Sequence, residues 1–127
     1  MPALHPEPWR LSATEMLAAY RSGQLTPRAV VDACLARRDA VQPLLNAFVA
    51  QRDEGARADR DASTARGHSG SPGGPLDGVP GVRKDNLPTA DMPTTWGSPA
   101  LRSYRPAVDE LAVARGRAAG AIVLGKT

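Results

Sequence analysis

The stretch that decides the fold is DELAVARGRAAGAIVLGKT, residues 109–127. Asp109 is a good N-cap for a helix over residues 110–119, and Gly120 is a good C-cap, because a carboxylate accepts free backbone N–H groups and glycine tolerates the closing turn. The apolar run at 121–124 has the character of a strand buried on both faces. The stretch therefore predicts a helix that leads directly into an internal strand.

The preceding stretch supplies a second strand. Residues 86–106 are rich in turn residues and lack periodicity, which predicts a long loop. Before it, LDGVPGV at residues 76–82 predicts a short strand, whose proline indicates a sheet edge or an entry turn. A strand, a loop, a helix and a strand predict a parallel β-α-β unit. Such a pair alone leaves open edges, so we expect this chain to be the N-terminal portion of a longer α/β protein.

Residues 1–66 are predicted to be helical. Ser12 and Glu15 have capping-box spacing before an apolar stretch, and Thr26 followed by proline is typical of a second helix start. We expect that second helix to end at Gln42-Pro43, because the residue before a proline disfavours helical geometry.

A connector divides this helical part from the strands. GHSGSPGGP at residues 67–75 is favoured as a surface loop over a domain linker, because the part before it is too small to bury a core alone. The chain is then one α/β fragment with a helical part at 1–66, the connector, and the β-α-β part at 76–127. Just before the connector, residues 53–66 predict a polar helix with a stripe of three alanines, Ala58, Ala62 and Ala65.

Composition excludes several classes of protein. The 127 residues are 42% hydrophobic and 23% charged, which is typical of a globular domain. The net charge of +3 and five aromatic residues argue against direct nucleic-acid binding. No apolar run is long enough for a membrane span, and the opening MPALHPEPWR lacks the pattern of a signal peptide. With one cysteine, Cys34, no internal disulfide forms, and we expect a cytoplasmic setting.

The basic residues single out two positions for chemistry. Fourteen of the 16 are arginine, and only Lys84 and Lys126 are lysine. Arginine keeps its proton in proteins, whereas lysine releases it when its surroundings lower its pKa. Lys84 follows the first predicted strand, at the end where α/β proteins commonly bind ligands. Spacing alone favours an ordinary surface lysine paired with Asp85.

A second motif is misleading. Residues 120–127, GAIVLGKT, satisfy the phosphate-binding pattern G-x-x-x-x-G-K-[ST]. That pattern binds phosphate when the intervening residues form a loop after a strand and lead into a helix. Here those residues are Ala, Ile, Val and Leu, which prefer a strand, and a helix is predicted before them. We therefore reject nucleotide binding by this motif.

The remaining polar candidates fit turn chemistry. The hydroxyls and glycine in TTWGS, residues 94–98, suit a polar substrate, but turns favour the same residues. His5 and His68 lack metal-ligand spacing, and we expect no metal site. Three serines lack an adjacent base and a nucleophile-elbow context: Ser63, Ser69 and Ser71.

Several stretches in order resemble one family. PLDGVPGVRKDNLPTADMPTTWGSPAL at residues 75–101, followed by residues 109–127, is similar to the N-terminal part of amidase signature enzymes. LSATEMLAAYRSGQLTPRAVVDACLARRDAV at residues 11–41, and LNAF after it, fit that family's opening. The resemblance covers nearly the whole chain. It implies the N-terminal part of the amidase signature fold, a mixed sheet covered by helices.

The resemblance also implies a reaction, which is hydrolysis or transfer at a carboxamide C–N bond. The family uses a serine nucleophile, a second serine bound through a cis peptide, and a lysine, which Lys84 matches. A neutral amine accepts a proton relayed through the bridging serine, whereas arginine would stay charged. Both serines belong to a later segment of the family's chain, so Ser98 and the three serines above receive no role. We expect Lys84 to be the catalytic residue of this chain and no cofactor to be needed.

Three positions depart from the family pattern. Arg83 replaces an apolar residue, Asp91 replaces a loop glycine, and Gly116 replaces a large apolar residue in the predicted helix. A glycine there costs about 1 kcal/mol in helix propensity, and Asp91 is strained if the position needs a positive φ.

Three functions stay open at this point. The first is an amidase acting on a small-molecule amide. The second is the amidase subunit of a tRNA-dependent amidotransferase, where tRNA and partner subunits enter. The third is a truncated, non-catalytic remnant, which the three departures support. The residues do not identify the amide or fix the oligomeric state, and a homodimer is compatible with them.

Overall fold

The computed structural model describes residues 7–127. Residues 1–6 lie outside that part. They include His5 and most of the opening segment MPALHPEPWR, for which no signal peptide is expected. Two short 3-10 helices, Pro8–Arg10 and Pro99–Leu101, accompany the main elements. In chain order these are α1 (Ala13–Arg21), α2 (Pro27–Leu45), β1 (Ala50–Gln51), α3 (Asp53–His68), β2 (Pro80–Arg83), α4 (Leu111–Ala118) and β3 (Ile122–Lys126).

The starts of α1 and α2 follow the caps predicted from the sequence. The Ser12 hydroxyl accepts from the Glu15 N–H, and the Glu15 carboxylate accepts from the Ser12 N–H at 2.7 Å, so the capping box is complete. Thr26 accepts from the Ala29 N–H at 3.2 Å, and Pro27 occupies the first helical position. Because caps satisfy donors that a helix leaves free, these local signals fix both starts.

The predicted end of α2 at Gln42-Pro43 is wrong, since the helix continues to Leu45. Pro43 lies in the last turn, where its missing N–H removes only one helical hydrogen bond. The Gln42 side chain donates to the Phe48 carbonyl at 2.9 Å and accepts from the Phe48 N–H at 3.0 Å. These bonds, and the left-handed Asn46 (φ 48°) that caps the helix, stabilise the longer end.

The polar helix α3 forms as predicted and extends two residues into the connector, but it buries a different face. The predicted stripe is not the buried one: Ala56 and Ser63 are the buried residues of the helix. In addition, Arg60 forms an ion pair with Asp32 of α2. The helix therefore packs on α2 through small side chains and an ion pair, which apolar periodicity does not detect.

The strands form a mixed sheet in the order β1-β3-β2. β2 and β3 are parallel, with Pro80 opposite Ile122 and Arg83 opposite Lys126, which confirms the β-α-β unit. β2 lies at the edge of this sheet, as its proline predicts. β1 pairs antiparallel with β3, placing Ala50 opposite Lys126. Two residues are too few to show strand alternation, so sequence reasoning missed β1.

The start of α4 differs from the prediction by one residue, because Glu110 caps the helix instead of Asp109. The Glu110 carboxylate accepts from the Ala112 N–H at 2.8 Å. Asp109 accepts from the Ala90 N–H at 2.8 Å and lies 2.9 Å from Arg117 Nε. A contact with the distant loop therefore takes the carboxylate that local reasoning assigns to the cap.

The hydrophobic core lies between α2, α3 and β3. All five residues of β3 are buried, which confirms the internal strand predicted there. The core side chains are Val31, Leu35, Ala56, Ile122 and Leu124, with Cys34 and Phe48 packed against them. The core thus holds β3 rigidly, and β3 in turn positions the edge strand β2 and the residues that follow it.

Candidate active site at the end of β2

Lys84 lies immediately after β2, at the C-terminal end of the parallel pair, with its side chain exposed. Its Nζ donates to the Thr127 carbonyl at 3.1 Å. The same carbonyl accepts from the Asp85 N–H at 2.9 Å, and the Thr127 N–H donates to the Arg83 carbonyl at 2.9 Å. The backbone around Lys84 is therefore tied to the end of β3 on both sides.

Spacing in the sequence favours an ion pair between Lys84 and Asp85, but Asp85 pairs with Lys126 instead. Its carboxylate is buried, and its Oδ1 lies 3.3 Å from Lys126 Nζ. Oδ1 also accepts from the Thr95 N–H at 3.1 Å, and Oδ2 accepts from the Thr95 hydroxyl. Burial acts most strongly on this carboxyl and opposes ionisation, but these hydrogen bonds and Lys126 together hold its pKa below the usual range.

Lys126 is completely buried in β3. Its ammonium donates to the Pro93 carbonyl at 3.2 Å and to the Thr94 hydroxyl, and it pairs with Asp85. Burial lowers the pKa of Lys126, because desolvation disfavours the ammonium more than Asp85 favours it. The contacts of this ammonium are all internal, so it has no surface on which to meet a ligand.

The phosphate-binding pattern at residues 120–127 is embedded in this strand. Gly125 and Lys126 are paired with both neighbouring strands. A phosphate loop needs free backbone N–H groups that curl around an anion. The geometry thus agrees with rejecting nucleotide binding by this motif.

The TTWGS loop, residues 94–98, serves the buried pair. The hydroxyls of Thr94 and Thr95 bind Lys126 and Asp85. Trp96 has a positive φ of 49°, and its N–H donates to the Asp85 carbonyl at 3.0 Å. The hydroxyls of Thr94 and Thr95 are therefore structural, and the Trp96 side chain is left half-exposed.

The other polar candidates lie elsewhere. Ser63 is buried on α3 and hydrogen-bonds Asp77. His68, Ser69 and Ser71 are exposed at the end of α3 and just beyond it. Within residues 7–127, the hydrogen bond of Lys84 goes to a carbonyl and not to a serine. In the same part of the chain, no cluster of three or more His, Cys, Asp or Glu side chains could hold a metal ion.

Arg83 and Gly116, two of the three departures from the family pattern, lie against each other. A Cβ built on Gly116 would lie 2.7 Å from Arg83 Nη2, so the guanidinium occupies the space that a larger residue at 116 would fill. Burial, with the charge of Arg117 nearby, lowers the pKa of Arg83. The Arg83 guanidinium lies over α4, whereas the Lys84 ammonium lies at Thr127. Gly116 is thus matched to Arg83, which removes one argument for a decayed copy.

The third departure, Asp91, forms two ion pairs. It pairs with Arg52 at the start of α3 and, at 2.7 Å, with Arg117 of α4. Among residues 7–127, positive φ outside glycine is confined to Asn46 and Trp96. The backbone strain considered for Asp91 is therefore not present, and its carboxylate links two helices.

Sequence reasoning missed the roles of Asp85, Thr94, Thr95 and Lys126. One signal was available, because Lys126 is one of only two lysines in an arginine-rich chain. The phosphate-loop pattern that contains it pointed to a different role. The two threonines gave no signal, since turns favour the same residue types.

The described helices include none long and apolar enough to cross a bilayer.

Comparison with known proteins agrees with the family resemblance of the sequence. The chain is 43% identical over 116 residues to a subunit of the glutamyl-tRNA(Gln) amidotransferase of Rhodopirellula baltica, a match that covers 91% of this chain and 23% of that protein. The corresponding chloroplastic/mitochondrial protein of Zea mays is 41% identical over 98% of this chain and 23% of its own length.

Solved structures are similar in fold. The peptide amidase from Stenotrophomonas maltophilia superposes with a TM-score of 0.88 at 34% identity, covering 96% of this chain and 26% of that one. A bacterial aryl acylamidase of the amidase signature family superposes with a TM-score of 0.87 at 31% identity, covering 97% and 26%. The chain thus spans about a quarter of the length of these proteins. Because residues 29–127 also match the model of the amidase family, the chain belongs to the amidase signature family.

Proposed function

We propose that the polypeptide containing this chain is an amidase, which cleaves a carboxamide C–N bond and uses Lys84 to carry the proton. The observation that carries the proposal is the separation of Lys84 from its acidic neighbour. Asp85 pairs with Lys126 instead, and Lys84 lies exposed at the strand end, where its Nζ donates to the backbone oxygen of Thr127. An amine in that position is available for proton transfer.

The chemistry follows from the residue type. As a neutral amine, Lys84 would accept the proton of the serine nucleophile through a bridging serine, and as an ammonium it would return it toward the leaving nitrogen. Both serines are expected from a later segment, as the family resemblance implies. Backbone N–H groups would bind the oxyanion. Under this mechanism residues 7–127 contribute the lysine and its setting.

The test replaces Lys84 in the polypeptide that contains this chain. Lys84→Ala and Lys84→Arg should each reduce kcat/KM for amide hydrolysis by about 10²–10⁴-fold, since loss of a proton-transfer group has that effect. Arg57→Ala, an exposed change on α3, is the matched control and should keep the rate. Hydrolysis at near the original rate in both Lys84 variants would refute the proposal, as would failure of the unmodified protein to hydrolyse any amide.

A second candidate is the amidase subunit of a tRNA-dependent amidotransferase. Relatives named as a glutamyl-tRNA(Gln) amidotransferase subunit are 38–43% identical to this chain, compared with 31–34% for the two solved amidases above. Release of ammonia from glutamine that requires co-purifying subunits and glutamyl-tRNA(Gln) would support this candidate. Hydrolysis of simple amides by the purified protein alone would favour the free-standing amidase.

A further inference from the structure

Lys126 is a buried basic residue that has no part in the proposed proton transfer. It is fully buried, and placing an ammonium in a protein interior is strongly unfavourable unless it is paired and hydrogen-bonded. An apolar side chain would suit a central strand better, as at the three buried positions before Gly125. The contacts of the Lys126 ammonium should therefore indicate the role of this buried charge.

Those contacts join three segments of the chain. The ammonium binds the Pro93 carbonyl and the Thr94 hydroxyl of the long loop, and it pairs with Asp85 after β2. The Asp85 carboxylate reaches the same loop through the amide and hydroxyl of Thr95. Lys126 and Asp85 thus form one buried pair at which β3, the loop and the end of β2 meet.

Lys84 is the residue that this junction holds. Its two neighbours are fixed by backbone bonds to Thr127, which directly follows Lys126. The Asp85 carbonyl accepts from the Trp96 N–H at 3.0 Å, which ties the other side of the peptide to the loop. With the Asp85 side chain anchored inward, the backbone at residue 84 has little freedom to shift.

We infer that the Lys126–Asp85 pair is a positioning device for Lys84, and that Lys126 is a positioning residue of the proposed amidase. The pair fixes the backbone from which the Lys84 side chain extends, and it keeps the Asp85 carboxylate away from that amine. This inference rests on the proposed function of Lys84. Precise placement matters because a shift of about 1 Å in a reacting group can cost about 100-fold in rate.

The test removes both charges together. Lys126→Met and Asp85→Asn each leave an unpaired buried charge, so either single variant can fail through misfolding alone. The double variant K126M/D85N keeps the side-chain shapes and removes both charges, which avoids that penalty. We expect it to fold, with kcat for amide hydrolysis about 10–100-fold lower and KM within about threefold of the original.

Two controls make the outcome specific. Val30→Ala removes volume from a fully buried position on α2, so it destabilises the protein without touching the pair. Its kcat, corrected for the folded fraction, should be unchanged. Full kcat in a stably folded K126M/D85N would overturn the inference, because the pair would then serve stability alone. So would a loss in the double variant that disappears after the same correction.

The proposed function and the positioning role fail differently. If Lys84→Ala keeps its rate, the proposed function falls, whatever the double variant does. If Lys84→Ala is inactive while K126M/D85N has full kcat, only the positioning role falls.

Discussion

Within residues 7–127, the helical half and the strand half of the chain each bury one basic side chain, but they surround it differently. In the helical half, Arg38 of α2 is 4% exposed and pairs with Asp39 and Asp53, whose side chains are 58% and 31% exposed. In the strand half, Lys126 is fully buried, and its partner Asp85 is 6% exposed. Water therefore reaches the partners of Arg38 and is excluded from the partner of Lys126.

This difference shows what each half depends on. If Arg38 is replaced by an uncharged residue, water can hydrate the carboxylates of Asp39 and Asp53 in place, because both side chains already contact solvent. If Lys126 is lost, the Asp85 carboxylate is left in the interior without a counter-charge. The helical half therefore depends less on its buried cation than the strand half, where the charge of Lys126 is balanced by a carboxylate that water hardly reaches.

The largest expected effect breaks the more buried pair. Lys126→Met should lower the free energy of unfolding by about 3–5 kcal/mol, the cost of removing one partner of a buried ion pair. Arg38→Met should lower it by about 1–2 kcal/mol, because its partners regain hydrogen bonds to water. Urea unfolding at neutral pH, followed by circular dichroism, measures both.

Equal losses in Lys126→Met and Arg38→Met would show that solvent access does not distinguish the two halves. The double variant K126M/D85N is the internal control for the larger loss. It should recover most of the stability lost in Lys126→Met, since no unpaired charge remains. A double variant as unstable as the single one would mean that the loss comes from packing instead of charge.

A different contrast, between local partners and distant ones, explains how much of the fold the sequence could predict. The starts of α1 and α2 follow from Ser12, Glu15 and Thr26, because a cap and its partner are three residues apart. The parallel pair and the buried strand β3 follow from element order and from a run of apolar residues. Each of these signals lies within one short stretch of sequence.

The errors occur where a distant partner decides the outcome. Asp109 has the right position for an N-cap, but Ala90 and Arg117 engage its carboxylate. The stripe on α3 was misplaced because the helix packs partly through an ion pair between Arg60 and Asp32.

The candidate site shows the same limit. Its residue type and its predicted place at a strand end single out Lys84, whereas its catalytic role comes from the family resemblance and stays a prediction. The setting of Lys84 could not be predicted, because Asp85, Thr94 and Lys126 meet only after the loop has folded. No local pattern in the sequence reports that meeting.

An intermediate effect is expected where the two halves join. Asp77, in the turn before β2, is bound by Arg66 of α3 at 2.7 Å and 2.9 Å. The hydrogen bonds from Arg66, opposed by burial and aided by the Gly73 N–H, lower the pKa of Asp77 to about 2. A lowered pKa means that this stability is present above the unfolded value near 4 and is lost as the pH falls through about 2.

The joining pair should therefore give the protein an acid-sensitive contribution of about 1–2 kcal/mol, reduced by the partial exposure of Arg66. Asp77→Asn should remove it, so that the unfolding free energies of the variant and the original protein converge between pH 4 and pH 2. Asp61→Asn alters the ion pairs that the half-exposed Asp61 carboxylate forms with Arg28 and Arg60, and it serves as the matched control. An Asp77→Asn variant that loses stability with acid as steeply as the original protein would contradict the assignment.

The smallest effect concerns the fit between Arg83 and Gly116 inside the strand half. Alanine at 116 should gain about 1 kcal/mol of helix propensity, but its Cβ would lie 2.7 Å from the Arg83 guanidinium, which must move. In an Arg83→Leu background that obstacle is absent, so Gly116→Ala should stabilise the protein more there than in the original chain. The difference is a coupling free energy of about 0.5–1 kcal/mol, measurable as a double-mutant cycle of urea midpoints. A coupling of zero would mean that the guanidinium moves aside freely and that Gly116 is not matched to Arg83.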